Sequence, residues 1–287
     1  MRLLRYEDGG RAAVGVLLGD AVVPVAALGF PDDPAALIAP GMAAKVSAAA
    51  AASSDRRPLA GLKLLMPVAR PGKVVCIGLN YALHAKEGGN PIPDYPAVFL
   101  RVQSSLVGPG EPMLRPAAVS TKLDYEAELA IVIGSTARCV AEADALTHVG
   151  AYSLFNDGSV RDYQRKSTQW TMGKNFDATG AFGPVLVTPD ELPPGAAPLR
   201  ITSRVDGQTV QDSTTGDMIF PVARCISILS EVMTLEPGDV IATGTPSGVG
   251  YARKPPLFLA PGMVVEVEVE GIGVLRNTVA DDPAFAK

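Results

Sequence analysis

The sequence predicts a β-rich protein of the α+β class, on three observations. From Lys73 onward, short β-branched and alternating segments dominate, punctuated by Gly and Pro. Helical windows are few and do not follow the strands in regular turn, which argues against a doubly wound α/β sheet. The composition, 47% hydrophobic and 19% charged over 287 residues, is that of an ordinary folded chain. That length suits one large domain, or one large and one small.

Taken in order, residues 1–66 read as a small α+β unit. Two short strands, Ala12–Leu18 and Ala21–Val25, flank the hairpin dipeptide Gly19-Asp20. An alanine-rich stretch from Ala43 to Ala52 reads as helix by propensity. Polar residues and Pro58 break it, and the Pro67–Gly72 segment marks a boundary, leaving 67–287 as the larger domain. Nothing in the first unit suggests chemistry. Beyond it, strands are expected at Val74–Ile77, Ala97–Leu100, Glu126–Ile133, Leu199–Val205, Val240–Thr243 and Val264–Val269. The clearest helix is Val222–Met233, opened by Pro221.

Charge and cysteine usage narrow the function classes. A net charge of −5 without a basic run gives no support for nucleic acid as partner. The start, Met1–Glu7, lacks the apolar core of a signal peptide, and no window is long and apolar enough to span a membrane. Cys76, Cys139 and Cys225 are odd in number and set among apolar residues, so they read as reduced core side chains. The expected compartment is the cytoplasm.

The chemistry-bearing region lies between residues 124 and 177. On a strand, Glu126 and Glu128 project to one face, where two anions repel unless a cation sits between them. Asp157 follows the apolar run Tyr152–Phe155, and an all-oxygen set suits a hard cation. The chain carries its own control: Val265-Glu266-Val267-Glu268-Val269-Glu270 has the same spacing in perfect alternation, as a one-sided solvated strand does. On spacing alone, Glu126 and Glu128 fit either reading.

Other candidates are similarly open. His84 and Glu87, three apart on a short helix, can form an imidazole–carboxylate pair for general-base work, or simply an exposed helical pair. His148 has no acidic neighbour and reads as structural. Lys174, between Trp170 and Phe176, is either a semi-buried cation or a loop-rim lysine. Thr243–Gly250 is a glycine-rich loop without the ending of a P-loop, whose amides can bind a carboxylate.

Together and in order, these segments resemble the fumarylacetoacetate hydrolase family, over about residues 70–280. The resemblance is carried by Ile77-Gly78-Leu79-Asn80-Tyr81 with His84 and Glu87, by Ser104–Gly110, and by Asp124-Tyr125-Glu126-Ala127-Glu128-Leu129. Asn156–Asp162, Gly173-Lys174-Asn175-Phe176-Asp177 and Thr243–Gly250 complete it. The resemblance implies a mixed β-sheet roll, a homodimer, and Mg²⁺ or Mn²⁺ held by Glu126, Glu128 and Asp157. It implies His84 and Glu87 as a general-base dyad on a lid, and Lys174 as the residue that stabilises an oxyanion. Arg161, Gln164, Gly244 and Thr245 would bind substrate. Arg101-Val102 stands where relatives often have Lys-Pro, a departure expected to bear on substrate recognition.

The activity so implied is metal-dependent hydrolysis of a C–C bond in a 2,4-dioxo acid of the acylpyruvate type, as in aromatic or sugar-acid breakdown. Oxaloacetate decarboxylation, or isomerisation or dehydration of an unsaturated oxo acid, uses the same enolate and stands as the alternative. A non-catalytic small-acid binder would be expected to lack part of the dyad or cluster, and this sequence retains both.

Overall fold

The computed structural model of the protein describes residues 1–285. In chain order the strands begin with β1 (Arg2–Asp8), β2 (Arg11–Leu18), β3 (Ala21–Pro24), β4 (Arg57–Pro58), β5 (Leu64–Leu65) and β6 (Val74–Gly78). Then come β7 (Ala97–Leu100), β8 (Leu106–Val107), β9 (Met113–Arg115), β10 (Leu123–Asp124), β11 (Ala127–Ile133), β12 (Val149–Asn156) and β13 (Ser159–Val160). The last are β14 (Gly180–Val187), β15 (Arg200–Val205), β16 (Gln208–Thr214), β17 (Val240–Ala242), β18 (Val264–Val269) and β19 (Gly273–Asp281).

Most of them form one mixed sheet in the order β4-β3-β2-β1-β14-β12-β11-β17-β6-β7, with β5 beside β1 and β8 beside β14. A second sheet runs β16-β15-β18-β19-β9, and β10 pairs with β13 alone. The central strand β11 is covered on both sides. Leu129, Ile131 and Ile133 join the apolar core shared with Ile201 on β15 and Val265 and Val267 on β18. Ala130 and Val132 face the other core, with Val16, Val46 and Cys76. Burial on both faces is why this segment reads as a run and not as an alternation. Each fully buried Leu or Ile there contributes roughly 1.5–3 kcal/mol.

The hairpin at Gly19-Asp20 and the helix Met42–Ala52 lie where the sequence predicts them. The sheet nevertheless crosses the expected boundary at residue 66, because β1 pairs with β14 through Arg2↔Val187 and Leu3↔Leu186. Strand β14 was not expected, since Gly183-Pro184 interrupts it. Pro184 has no amide to donate, and the ladder with β12 shifts register between Tyr152 and Leu154. Cys139 departs from expectation: it is exposed, while Cys76 and Cys225 are buried. Among the described residues, no helix is long and apolar enough to cross a membrane.

Candidate active site

The strand expected from Glu126 begins one residue later. Asp124 pairs in β10 with Ser159, and the chain bends through Tyr125 and Glu126 before β11 starts at Ala127. This bend lets the end of β12 close over the head of β11. The Glu126 amide donates to Asn156 Oδ1 at 3.0 Å, and the Asp157 amide donates to the Glu126 carbonyl at 3.0 Å. Asp157 is thereby brought beside Glu126 and Glu128, and ligand-capable oxygens of the three lie within 4.8 Å of one another. All three side chains are buried, Glu126 at 4% and Glu128 at 2% exposure.

Their charges are unequally compensated. Lys174 Nζ sits 2.6 Å from Glu126 Oε2 and also bonds Asp157, while Arg161 Nη1 lies 2.7 Å from Glu126 Oε1. Burial alone would raise the Glu126 pKa, but Lys174 and Arg161 hold it at about 2. Burial opposes the charge on Lys174, yet Asp157 and Glu126 hold its ammonium above the ordinary lysine range. Among the described residues Glu128 has no cation within 4 Å and only the Gly244 amide, at 2.8 Å, on its Oε2. Burial and the adjacent Asp157 and Glu126 push its pKa well above the usual carboxylate range. Four buried carboxylates (Asp124, Glu126, Glu128, Asp157) meet three buried cations (Arg101, Arg161, Lys174). Ionisation of Glu128 leaves one negative charge in excess, and a hard divalent cation fits that charge and this all-oxygen donor set.

The dyad is built on a helix of six residues, Ala82–Glu87. His84 is buried, and its Nδ1 lies 2.9 Å from Glu87 Oε1. Asn80 anchors the base of this helix: its amide nitrogen donates to the Thr243 and Phe220 carbonyls, and its Oδ1 accepts from the Phe220 amide at 2.6 Å. The glycine-rich loop fixes the other end. Gly244 and Gly248 have φ of 95° and 102°, where side chains other than hydrogen are strained. Their amides point at carboxylates of the protein itself: Gly244 serves Glu128, and Gly248 donates to both oxygens of Glu87 at 3.1 and 3.0 Å.

One cavity of about 360 Å³ is lined by His84, Glu126, Glu128, Asp157, Arg161, Gln164, Lys174 and Thr245. Of the expected residues, Glu87 stands behind His84, and Gly244 stands behind Glu128. Arg161 Nε donates to Asp124 Oδ2 at 2.7 Å and Nη1 to Gln164 Oε1 at 3.0 Å, while its buried Nη2 has no partner among the described residues. Thr245 Oγ1 accepts from Gln211 Nε2 at 2.8 Å. His148 bonds Ser135 and does not line this cavity, as a structural residue does.

Arg101 stands behind the cluster. It does not line the cavity; its guanidinium donates to Asp157 Oδ1, the Gly158 carbonyl, Ser105 and Thr179, so it braces a carboxylate of the cluster. Sequence reasoning gave no role to Asp124, which ties Arg161 to the amides of Gly250 and Tyr251 at 2.7 and 3.0 Å. Tyr251 carried no signal, because an aromatic residue beyond a loop has no characteristic spacing.

Comparison with known proteins agrees with this geometry. Residues 73–280 match the family model described as fumarylacetoacetate (FAA) hydrolase C-terminal. A mitochondrial oxaloacetate tautomerase of Bos taurus is 43% identical over 226 residues, 77% of this chain and 71% of that protein. A fumarylacetoacetate hydrolase from Exiguobacterium antarcticum superposes with a TM-score of 0.84 at 38% identity, covering 98% of this chain and 100% of that one. A maleylpyruvate hydrolase from Sphingobium gives a TM-score of 0.82 at 33% identity, with coverage of 98% and 100%. With its fold, its ordered motifs and these relatives in agreement, the chain belongs to the fumarylacetoacetate hydrolase family.

Proposed function

We propose that this enzyme forms the enolate of a 2-oxo acid, and that its first reaction is proton transfer at C3 between the keto and enol forms of an oxaloacetate-like acid. The observation that carries this reading is the shared cavity of the His84–Glu87 dyad and the Glu126–Glu128–Asp157 cluster. The tautomerase relatives, at 42–44% identity, support the same choice over the hydrolysis expected from sequence.

In this reading Glu126, Glu128 and Asp157 hold Mg²⁺ or Mn²⁺. The ion, when bound, supplies a Lewis acid that draws electron density from the 2-oxo carbonyl. In the enol-to-keto direction His84 takes the proton of the enol hydroxyl and gives it to C3, and in the reverse direction it carries the C3 proton to the 2-oxygen, while Glu87, fixed by the Gly248 amide, stabilises the imidazolium. Arg161, with Nη2 unpartnered, receives the substrate carboxylate beside Gln164 and Thr245. The charged Lys174 offsets negative charge developing on oxygen.

A second reading is favoured by the maleylpyruvate hydrolase likeness. There His84 takes the proton from water, which adds to the C4 carbonyl of a 2,4-dioxo acid; the C3–C4 bond breaks to a carboxylic acid and a pyruvate-type enolate. Loss of CO₂ from oxaloacetate passes through the same enolate. Metal-stripped protein given Mg²⁺ or Mn²⁺ should speed ketonisation of enol-oxaloacetate, followed by ultraviolet absorbance. Release of pyruvate from acetylpyruvate, with no effect on the enol, would transfer the assignment to hydrolysis. Pairing of two copies belongs to the same proposal and is checked by mass in solution.

A further inference from the structure

We infer that Arg165 binds the second carboxylate of a dicarboxylic 2-oxo acid, and so sets this enzyme's preference for diacids; the inference rests on the enolate reading above. Arg165 follows Arg161 by four residues at the end of the short helix Arg161–Gln164, and its amide donates to the Arg161 carbonyl. Like charges at this spacing repel, and only one of the two is compensated here. Arg161 is paired to Asp124 and Glu126, whereas Arg165 has no acidic group within 4 Å among the described residues. Both guanidinium groups stack on one ring, Arg161 at 4.5 Å and Arg165 at 4.4 Å from the Tyr251 centroid.

Stacking of this kind holds a guanidinium flat while leaving its N–H edges free, which pre-organises it for a carboxylate. Arg165 lines the same cavity as the carboxylate cluster but is itself exposed, so it stands at the solvent side. Arg161, four percent exposed, bridges the two regions: it touches Glu126 on one side and Tyr251 on the other. Its unpartnered Nη2 adds a second unused donor along that path. A 2-oxo acid with its C1–C2 end at the cluster would thus run past Arg161 toward an unpaired cation. Such a cation favours a terminal carboxylate over a methyl group.

The test uses the Mg²⁺-loaded protein and three probes in titration calorimetry: oxalate, 2-oxopentanoate and 2-oxoglutarate. The last two have equal chain length and differ in the second carboxylate. The expected result is about tenfold tighter binding of 2-oxoglutarate than of 2-oxopentanoate, the size of one charge-assisted hydrogen bond. In Arg165→Met, whose apolar stem still covers Tyr251, the two should fall within about twofold, with oxalate still bound as proof of an intact cluster. A wild-type ratio near one, or a ratio unchanged by Arg165→Met, overturns the role of Arg165 while oxalate binding leaves the enolate reading standing. Failure of the wild-type protein to bind oxalate overturns both.

Discussion

Glu126 and Glu128 at the head of β11, and Glu266 and Glu268 on β18, share a two-residue spacing and have opposite fates. On β18 the valines 265, 267 and 269 enter the core, and the glutamates face outward with side chains 24% and 41% exposed. They meet Arg204 at 2.9 and 2.7 Å across the sheet, a solvated ion-pair network of small energetic weight. At β11 the same spacing sits under cover, because Glu128 is in phase with Ala130 and Val132, which face a second core. Spacing decides which face a side chain takes; the elements packed on that face decide whether it meets water.

The largest test of this contrast is loss of one carboxylate from each strand. Glu128→Gln should lower metal-dependent turnover on the order of a thousandfold, while Glu268→Gln should leave it within about twofold. Equal effects would erase the distinction. Stability separates even the two members of the β11 pair. Glu126→Gln leaves Lys174 and Arg161 short of an anion and should cost about 3 kcal/mol in urea unfolding of metal-free protein. Glu128→Gln removes a buried carboxylate that has no cationic partner within 4 Å among the described residues, and should leave that stability unchanged or raised.

The dyad gives a smaller effect on rate. His84→Ala and Glu87→Gln should each cost about a hundredfold or more in kcat, with oxalate affinity retained, since neither residue belongs to the carboxylate cluster. A matching loss of oxalate binding would mean that the helix Ala82–Glu87 holds the site together instead of doing chemistry.

The pH signature is opposite for the two glutamates. Glu126 has its pKa lowered from 4.5 to about 2, so its contribution is present above about pH 4.5 and lost as pH falls toward 2. Glu128 has its pKa raised, so its contribution is present below 4.5 and lost as pH rises through the raised value. Metal-stripped protein should therefore lose stability on the alkaline side until Mg²⁺ is added, and metal uptake should release protons. Calorimetry in buffers of differing ionisation enthalpy reads that release; uptake without protons would place Glu128 already ionised. The smallest effect belongs to β18, where Glu266→Gln should cost less than about 1 kcal/mol.

Much of this was legible in the sequence, for reasons the two strands make plain. Alternation exposed β18 as one-sided, whereas spacing alone left Glu126 and Glu128 open and only the order of the surrounding motifs favoured the cluster. The order of short motifs brought His84, Glu87, Asp157 and Lys174 into one expected site, and all of them now meet around one cavity or directly behind it. What stayed hidden depends on contacts between distant segments. Nothing in Val98-Phe99-Leu100-Arg101 says that Arg101 will brace Asp157, fifty-six residues onward. Tyr251 meets Arg161 and Arg165 only because Asp124 captures the amides of the loop that carries it. Strand β14 escaped because Gly183-Pro184 breaks its pattern, although the sheet tolerates the break through a shift in register.

The central claim is that this cavity takes a proton from C3 of a 2-oxo acid. Deuterium incorporation at C3 of 2-oxoglutarate, followed by NMR in D₂O, measures that step without assuming what happens to the enolate. Exchange that requires Mg²⁺ or Mn²⁺, disappears in His84→Ala and Glu128→Gln, and persists in Glu268→Gln is the predicted result. No exchange above the metal-only rate with wild-type protein, or exchange indifferent to Glu128→Gln, would contradict the account.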